Sequence, residues 1–261
     1  MFETPPSLAT LMWTLDTSAE VPHWRQSAPP AGVILAFSTR RGGVSVAPFE
    51  SLNLGRSTPD LPESVRLNRI RLLHALELSP ENLATAGQVH GIRVVEATAP
   101  GHFPACDGLV TRVPGLALAV TTADCMSLLF TAPGAVAAVH SGWRGAAAGM
   151  PVAALDAICR LSGREPAAVE VHFGPSARGC CYEVDEDVAA RFPEAALRRI
   201  EPKPRLDLPT ATRLALLDAG MAPGSVHDCG ACSMCEPYWY FSHRGDRGRT
   251  GRMWGVAALA E

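Results

Sequence analysis

A chain of 261 residues is long enough for one large domain or two small ones. At 47% hydrophobic and 19% charged it has the balance of an ordinary globular protein with a sizeable core, and a formal net charge of −3 offers no basic surface for nucleic acid and no cue for a membrane. The longest apolar run, 115–139, is broken by Asp124, Pro133 and Gly134, which excludes a bilayer span; the opening Met1 to Pro6 lacks the basic start and apolar core of a signal peptide. The expectation is a cytoplasmic protein whose eight cysteines are reduced thiols or ligands rather than a disulfide framework.

Taken in chain order, residues 1–31 read as an N-terminal extension, punctuated by Pro5, Pro6, Pro22, Pro29 and Pro30 and anchored where Leu11, Met12, Trp13 and Leu15 find partners. Val33 to Ser38 suits a buried strand, followed by a basic glycine turn at Arg40, Arg41, Gly42 and Gly43. Pro62 to Leu78 reads as a helix with Val65, Arg69, Leu72, Leu73 and Leu76 on one face, and Ser79-Pro80-Glu81 as a second helix start. Leu83 to Val89 and Ile92 to Glu96 read as strands joined at His90-Gly91, with three more at 116–122, 126–131 and 135–140. A helix over 151–161 closes at Gly163, a strand over 169–173 stops at Gly174-Pro175, and a helix over 210–218 ends at Gly220. Hairpins mixed with helices point to a single α+β domain over 32–261, layered, with mixed and largely antiparallel sheets.

The hairpin at Pro133-Gly134 brings a thiol and an imidazole to the open end of one ribbon. If Thr131 pairs with Ala135, Cys125 stands opposite Ser141 and Met126 opposite His140; a one-residue shift sets Cys125 opposite His140 itself. The pair is either half of a cysteine nucleophile's machinery or half of a metal site, with a buried thiol and a backbone-bonded imidazole as the bland alternative. Two features favour chemistry: both residues end apolar strands, and Gly142, Arg144 and Gly145 follow at once, as suits an anion. His90, in Gln88-Val89-His90-Gly91, completes a candidate His2Cys set that leaves a fourth zinc position open.

Four arginines beside glycines or strand ends, Arg40, Arg144, Arg244 and Arg252, form a candidate phosphate-binding set. Cys229, Cys232 and Cys235 form a separate cluster with His227 nearby and carry a Cys-x2-Cys knuckle signal, but a zinc finger needs a second pair at suitable spacing. Cys106, Cys159, Cys180 and Cys181 do not repeat the spacing, so these cysteines read as structural thiols.

A family resemblance rests on motifs in one order. Phe37-Ser38-Thr39-Arg40-Arg41-Gly42-Gly43, Ser51-Leu52-Asn53-Leu54-Gly55, Gln88-Val89-His90-Gly91 and Asp107-Gly108-Leu109-Val110 come first. Thr122-Ala123-Asp124-Cys125 and His140-Ser141-Gly142-Trp143-Arg144-Gly145 form the centre; Cys181-Tyr182-Glu183-Val184, Cys232-Ser233-Met234-Cys235, Phe241-Ser242-His243-Arg244 and Gly251-Arg252-Met253 follow. With these the chain resembles the YfiH-like laccase-domain family, also labelled polyphenol oxidoreductases and purine nucleoside phosphorylases, over nearly everything after residue 32. Ser141, Met126, Ser233 and Gly245 depart from the family's usual Ala, Pro, Thr and Arg.

The resemblance implies a layered fold shared with the catalytic domain of cytotoxic necrotizing factor. It implies zinc held by His90, Cys125 and His140 (copper being possible in vitro), phosphorolysis of adenosine, inosine and methylthioadenosine, and deamination of adenosine. Some relatives are described as peptidoglycan-precursor editing amidases. The expected partners are purine nucleosides and phosphate, with phosphate assigned to Arg40 and Asn53 and Arg144 as second choice. Asp124 and Asp107 are candidates for acid/base or orienting roles. A metal-free hydrolase with Cys125 as nucleophile and His140 as base is the competing enzyme, and a non-catalytic zinc-binding module the competing class. Multicopper oxidase chemistry is excluded by inventory: eight histidines and no His-x-His pair cannot hold such a copper array.

Overall fold

The computed structural model describes residues 12–27 and 30–261. Leu11, Pro5, Pro6 and Pro29 lie outside them. In chain order the elements begin with β1 (Trp13–Asp16), β2 (His23–Gln26), β3 (Val33–Ser38), α1 (Pro62–Ala75), β4 (Leu83–Ala86), β5 (Val94–Glu96) and β6 (Gly101–Phe103). Then come β7 (Gly108–Thr111), β8 (Ala117–Thr122), β9 (Met126–Ala132), β10 (Ala135–Ser141), α2 (Trp143–Ala147), α3 (Met150–Ser162) and β11 (Glu170–Phe173). The last are α4 (Glu186–Ala189), β12 (Leu197–Arg198), β13 (Arg205–Leu206), α5 (Leu208–Asp218), β14 (Val226–Asp228) and β15 (Met253–Leu259). Among the described residues no helix is long and apolar enough to cross a membrane.

Two mixed sheets stack face to face. One runs β1-β2-β3-β15-β8-β4-β6, the other β14-β11-β9-β10-β7-β5. Leu35, Phe37, Leu118 and Val120 of the first meet Leu109, Leu129, Val136 and Ala138 of the second. On the outer face of the first sheet, Leu72 and Leu73 of α1 cover Ala36, Ala119 and Val256. On the outer face of the second, Leu155 and Ile158 of α3 and Leu216 of α5 cover Leu128, Phe130 and Val139. The order of layers is therefore helix, sheet, sheet, helix. Central strands are buried on both faces, which is why 117–122 and 135–141 read as nearly unbroken apolar runs rather than alternating ones. Each fully buried Leu or Phe here contributes about 1.5–3 kcal/mol of transfer free energy.

The α+β class and the main elements stand where the sequence places them, with α3 closed by Gly163 at φ 67° and α5 capped by Asp207 accepting from Thr210 N at 2.8 Å. Residues 13–26, within the stretch read as an extension, form two strands that continue the first sheet from β3. Three local expectations need correction. Ser79-Pro80-Glu81 starts no helix: Asn82 N donates to Ser79 O at 3.1 Å, a turn that leads directly into β4. The two strands flanking His90-Gly91 do not pair, because β4 lies in one sheet and β5 in the other. The hairpin register differs from both versions anticipated, with Ala132 opposite Ala135 and only Pro133-Gly134 between them. Gly134 takes φ 79°, which permits this two-residue turn.

Candidate metal centre

The tight turn moves the register so that Ser127 faces His140 and Met126 faces Ser141. Continued one step, Cys125 stands beside Gly142, and Cys125 and His140 become diagonal neighbours on the face turned toward the first sheet. Gly142 leaves the space they need: a Cβ there would stand 2.8 Å from Cys125 Sγ and 3.2 Å from His90 Cδ2.

His90 arrives on the crossing from β4 to β5. Residues 88 and 90 both take left-handed backbone, φ 60° and 61°, so this loop is held by specific bonds rather than by propensity. At one end Gln88 grips β8: its Oε1 accepts from Thr121 N at 2.8 Å and its Nε2 donates to Thr121 O at 2.6 Å. At the other, the fully buried Asp107 carboxylate accepts from Val89 N (3.1 Å), His90 N (2.8 Å) and Gly91 N (2.8 Å). The same carboxylate meets His140 Nδ1 at 2.9 Å. One aspartate thus positions both histidines.

With Nδ1 engaged, Nε2 of His140 is its remaining donor atom, and one ligand atom from each of His90, Cys125 and His140 lies within 4.8 Å of the others. Burial opposes charge on Cys125, yet the His140 and His90 imidazoles outweigh it and hold the thiol well below its ordinary range. Burial likewise opposes charge on His140, and the Cys125 thiolate and Asp107 carboxylate outweigh it upward. Asp107 stays ionised for the same reason: burial works against it, and His140 with the Gly91 and His90 N–H groups prevails. A soft thiolate, two imidazoles, a carboxylate behind one of them and a glycine-made hollow fit a zinc-class cation.

These groups form the floor of a cleft of about 500 Å³, a volume suited to a small organic ligand. A hollow of about 580 Å³ beneath α1 is larger but is lined by no histidine or cysteine. Arg144, Arg244 and Arg252 enter the cleft, with Tyr182, His243 and Ser57. The Arg144 guanidinium lies over the Trp143 ring, 4.4 Å from its centroid, and has no hydrogen-bond partner among the described residues. Asp124, at φ 83°, is committed to structure: Oδ1 accepts from Ser233 Oγ at 2.8 Å and Oδ2 from Arg244 N at 2.6 Å. It holds the Arg244 backbone against the residue next to Cys125.

The structure does not bring Arg40 and Asn53 to this cleft. Arg40 Nε and Nη1 donate to Glu50 O (2.9 Å) and Pro237 O (3.0 Å), and its guanidinium stacks on Phe241. Asn53 is fully buried; its Nδ2 donates to Thr58 Oγ1 and Asp60 Oδ2, and its Oδ1 accepts from Gly55 N and Arg252 N. It serves the cleft only by fixing the backbone of Arg252. Tyr182 and His243, inside motifs that carried the resemblance, received no role from the sequence because neither has a local chemical signature.

A family model described as "Multi-copper polyphenol oxidoreductase laccase" matches residues 34–260. A Deinococcus radiodurans protein named "Purine nucleoside phosphorylase" is 41% identical over 238 residues, covering 89% of this chain and 91% of its own length. "Purine nucleoside phosphorylase YlmD" of Geobacillus stearothermophilus is 37% identical over 253 residues, covering 88% and 91%. The crystal structure of YlmD from Geobacillus stearothermophilus superposes with a TM-score of 0.90 at 34% identity, over 96% of this chain and 99% of that one. The Bacillus licheniformis YfiH structure gives 0.88 at 32% identity, over 95% and 98%. Matched over residues 34–260 and at up to 41% identity, the chain belongs to the YfiH/YlmD-type laccase-domain family, whose curated relatives are named purine nucleoside phosphorylases.

Proposed function

We propose that the chain is a zinc-dependent purine nucleoside phosphorylase acting on adenosine, inosine and methylthioadenosine, with adenosine deaminase activity as a second, hydrolytic reaction. Residues 32–261 form its catalytic domain, with β1 and β2 of the preceding stretch completing the first sheet. The observation that carries this reading is the convergence of His90, Cys125 and His140 on the floor of a cleft entered by three arginines. The names of the relatives at 41% and 37% identity support the reaction class. The histidine inventory supports zinc over a copper array: apart from the pair with Cys125, the ligand-like histidines among the described residues are only His172 and His227 beside Glu170.

His90, Cys125 and His140 would hold the zinc ion, which would supply Lewis-acid activation at neutral pH. Phosphorolysis breaks the C1′–N9 bond, joins a phosphate oxygen to C1′, and leaves the purine to take up a proton. Arg144, whose guanidinium donates to no described residue, binds the phosphate with Arg244 and Arg252 flanking it. Burial and the Cys125 charge push the Tyr182 phenol up to about 12, so this cleft-lining residue stays protonated. In deamination, water adds at purine C6 and ammonia leaves. Asp107 keeps His140 in one tautomer and orientation throughout, which separates its orienting role from acid/base work.

One observation favours a second reading. Asp107, His140 and Cys125 in succession are also the orienter, base and nucleophile of a cysteine hydrolase or amidase. His90 discriminates, since a hydrolase has no use for it. The test is His90→Ala, with zinc counted per chain and products of adenosine followed with and without phosphate. Loss of zinc together with loss of adenine, ribose 1-phosphate and inosine formation is expected. Full turnover without metal would overturn the zinc reading in favour of the hydrolase.

A further inference from the structure

A second cluster of soft ligands lies apart from the cleft floor. β11 and β14 are parallel neighbours, with Val171 beside Val226 and Phe173 beside Asp228, so the chain leaves both strands at the same end. The loop after β11 carries Cys180 and Cys181; the loop after β14 carries Cys232 and Cys235. The loops are locked together before the cysteines are reached: Arg178 forks onto Asp228 through contacts of 2.9 and 2.6 Å. Gly179 N donates to Asp207 Oδ2 at 2.9 Å, and a parallel bridge joins Ser176 to Cys232.

The four sulfurs pack as a tetrahedron. Cys180 Sγ is 3.6 Å from Cys181, 3.4 Å from Cys232 and 3.4 Å from Cys235, and Cys181 is 3.4 Å from both Cys232 and Cys235. The last edge, Cys232 to Cys235, is under 4.8 Å. A flat arrangement with the same five edges would stretch that last edge to about 5.8 Å, so the set is three-dimensional. Zinc–sulfur bonds of about 2.3 Å in a regular tetrahedron require sulfur–sulfur edges of about 3.8 Å, a few tenths of an ångström wider than those present. A disulfide would instead single out one pair at about 2.05 Å, and no pair stands out.

We propose that Cys180, Cys181, Cys232 and Cys235 hold a second zinc ion, closed by four thiolates and structural in role. Four protein ligands leave no position for water or substrate. The ion's task is placement. Cys181 precedes Tyr182, which lines the cleft, and Cys232 precedes Ser233, whose hydroxyl bonds Asp124 beside Cys125. The knuckle therefore fixes one wall of the active cleft from behind, and the Arg205 guanidinium, donating to Cys180 O at 2.8 Å, brings positive charge beside the anionic tetrathiolate.

The test uses the full chain purified anaerobically without chelator. Elemental analysis should give two zinc per wild-type chain and one in the double variant His90→Ala, Cys125→Ser; adding Cys235→Ser to that variant should remove the remaining one. Cobalt(II) loaded into the double variant should show the intense thiolate-to-metal absorption of a four-sulfur tetrahedral site. Should the Cys235→Ser chain fail to fold, alkylation of the wild type decides. Cys180 and Cys235 are exposed, yet iodoacetamide should modify them at least tenfold faster once zinc is stripped by a chelator. A double variant with no zinc and no sulfur–cobalt absorption overturns the proposal. So does equal alkylation before and after chelation, or recovery of the four cysteines as disulfides from the anaerobic preparation.

Discussion

His140 and His172 are both buried, both on strands flanking β9, and opposite residues of the same β9 face, Ser127 and Leu129. They are held in opposite states. His172 has burial as its main influence, reinforced by the His227 ring stacked 4.8 Å away, and its imidazole is pushed down to about 3. Trp13 Nε1 donates to its Nδ1 at 3.3 Å, which requires that nitrogen to be unprotonated. His140 feels the same burial but has Asp107 at 2.9 Å and the Cys125 thiolate beside it, and it is raised. Burial alone makes an imidazole a neutral packing group; a thiolate and a carboxylate beside another in the same sheet favour positive charge there, which a proton supplies and a metal ion would supply in its place.

The substitution that should break this contrast most completely is Asp107→Asn. The carboxylate accepts four hydrogen bonds, and an asparagine must turn one N–H against a donor. Both histidines lose their anchor at once. Zinc affinity should fall roughly 10–100-fold, as on loss of such an outer partner. Stability should fall by about 1–3 kcal/mol from the unsatisfied buried donors. Competition with a fluorescent chelator measures the first and denaturant unfolding the second. Unchanged zinc affinity would remove Asp107 from the role given to it.

A smaller effect, confined to the cleft side of the comparison, is expected for Arg144→Ala. A charge-assisted hydrogen bond contributes about 1.5–3 kcal/mol, which sets a rise of roughly tenfold or more in KM for phosphate. Zinc content and Tm should not move, since no side-chain hydrogen bond of Arg144 holds the fold. Steady-state kinetics at varied phosphate is the check; an unchanged KM would pass the phosphate to Arg244 and Arg252.

The sequence exposed the floor of the site and three of the arginines that enter the cleft, and concealed Tyr182, His243 and the second cysteine cluster. Cys125 and His140 were legible because two apolar runs around Pro133-Gly134 can only be a hairpin, and its end must carry them. The register was not legible: moving the turn by one residue costs nothing in pattern, and the choice depends on Gly134 taking positive φ. Strand signals at 83–86 and 94–96 were visible too, but periodicity says nothing about which sheet a strand joins. Arg40 misled because glycine neighbours suggest an anion site, whereas the structure anchors it outside the cleft, on the carbonyls of Glu50 and Pro237 and the Phe241 ring. The Cys180, Cys181, Cys232 and Cys235 cluster was hidden by separation: 50 residues intervene, and only the parallel pairing of β11 with β14 brings the loops together.

The mildest expected effect concerns His172, and it appears only in acid. Because its folded-state value is depressed to about 3, the neutral ring's contribution to stability is complete above about 6.5 and is lost as pH falls from there toward 3. One proton taken up preferentially by the unfolded chain costs about 1.4 kcal/mol per pH unit in that window, or about 2 kcal/mol by pH 5. The facing groups are Trp13, His227 and Glu170; the nearest acid, Glu170 Oε2, is 3.8 Å away and too exposed to act as Asp107 does. His172→Gln keeps a neutral acceptor for Trp13 and cannot take up the proton. Its Tm should match wild type near pH 7.5 and exceed it by several degrees at pH 5, with zinc content and turnover unaltered. Parallel Tm curves for the two chains across that range would show that burial does not hold His172 neutral, and the contrast with His140 would lose its second half.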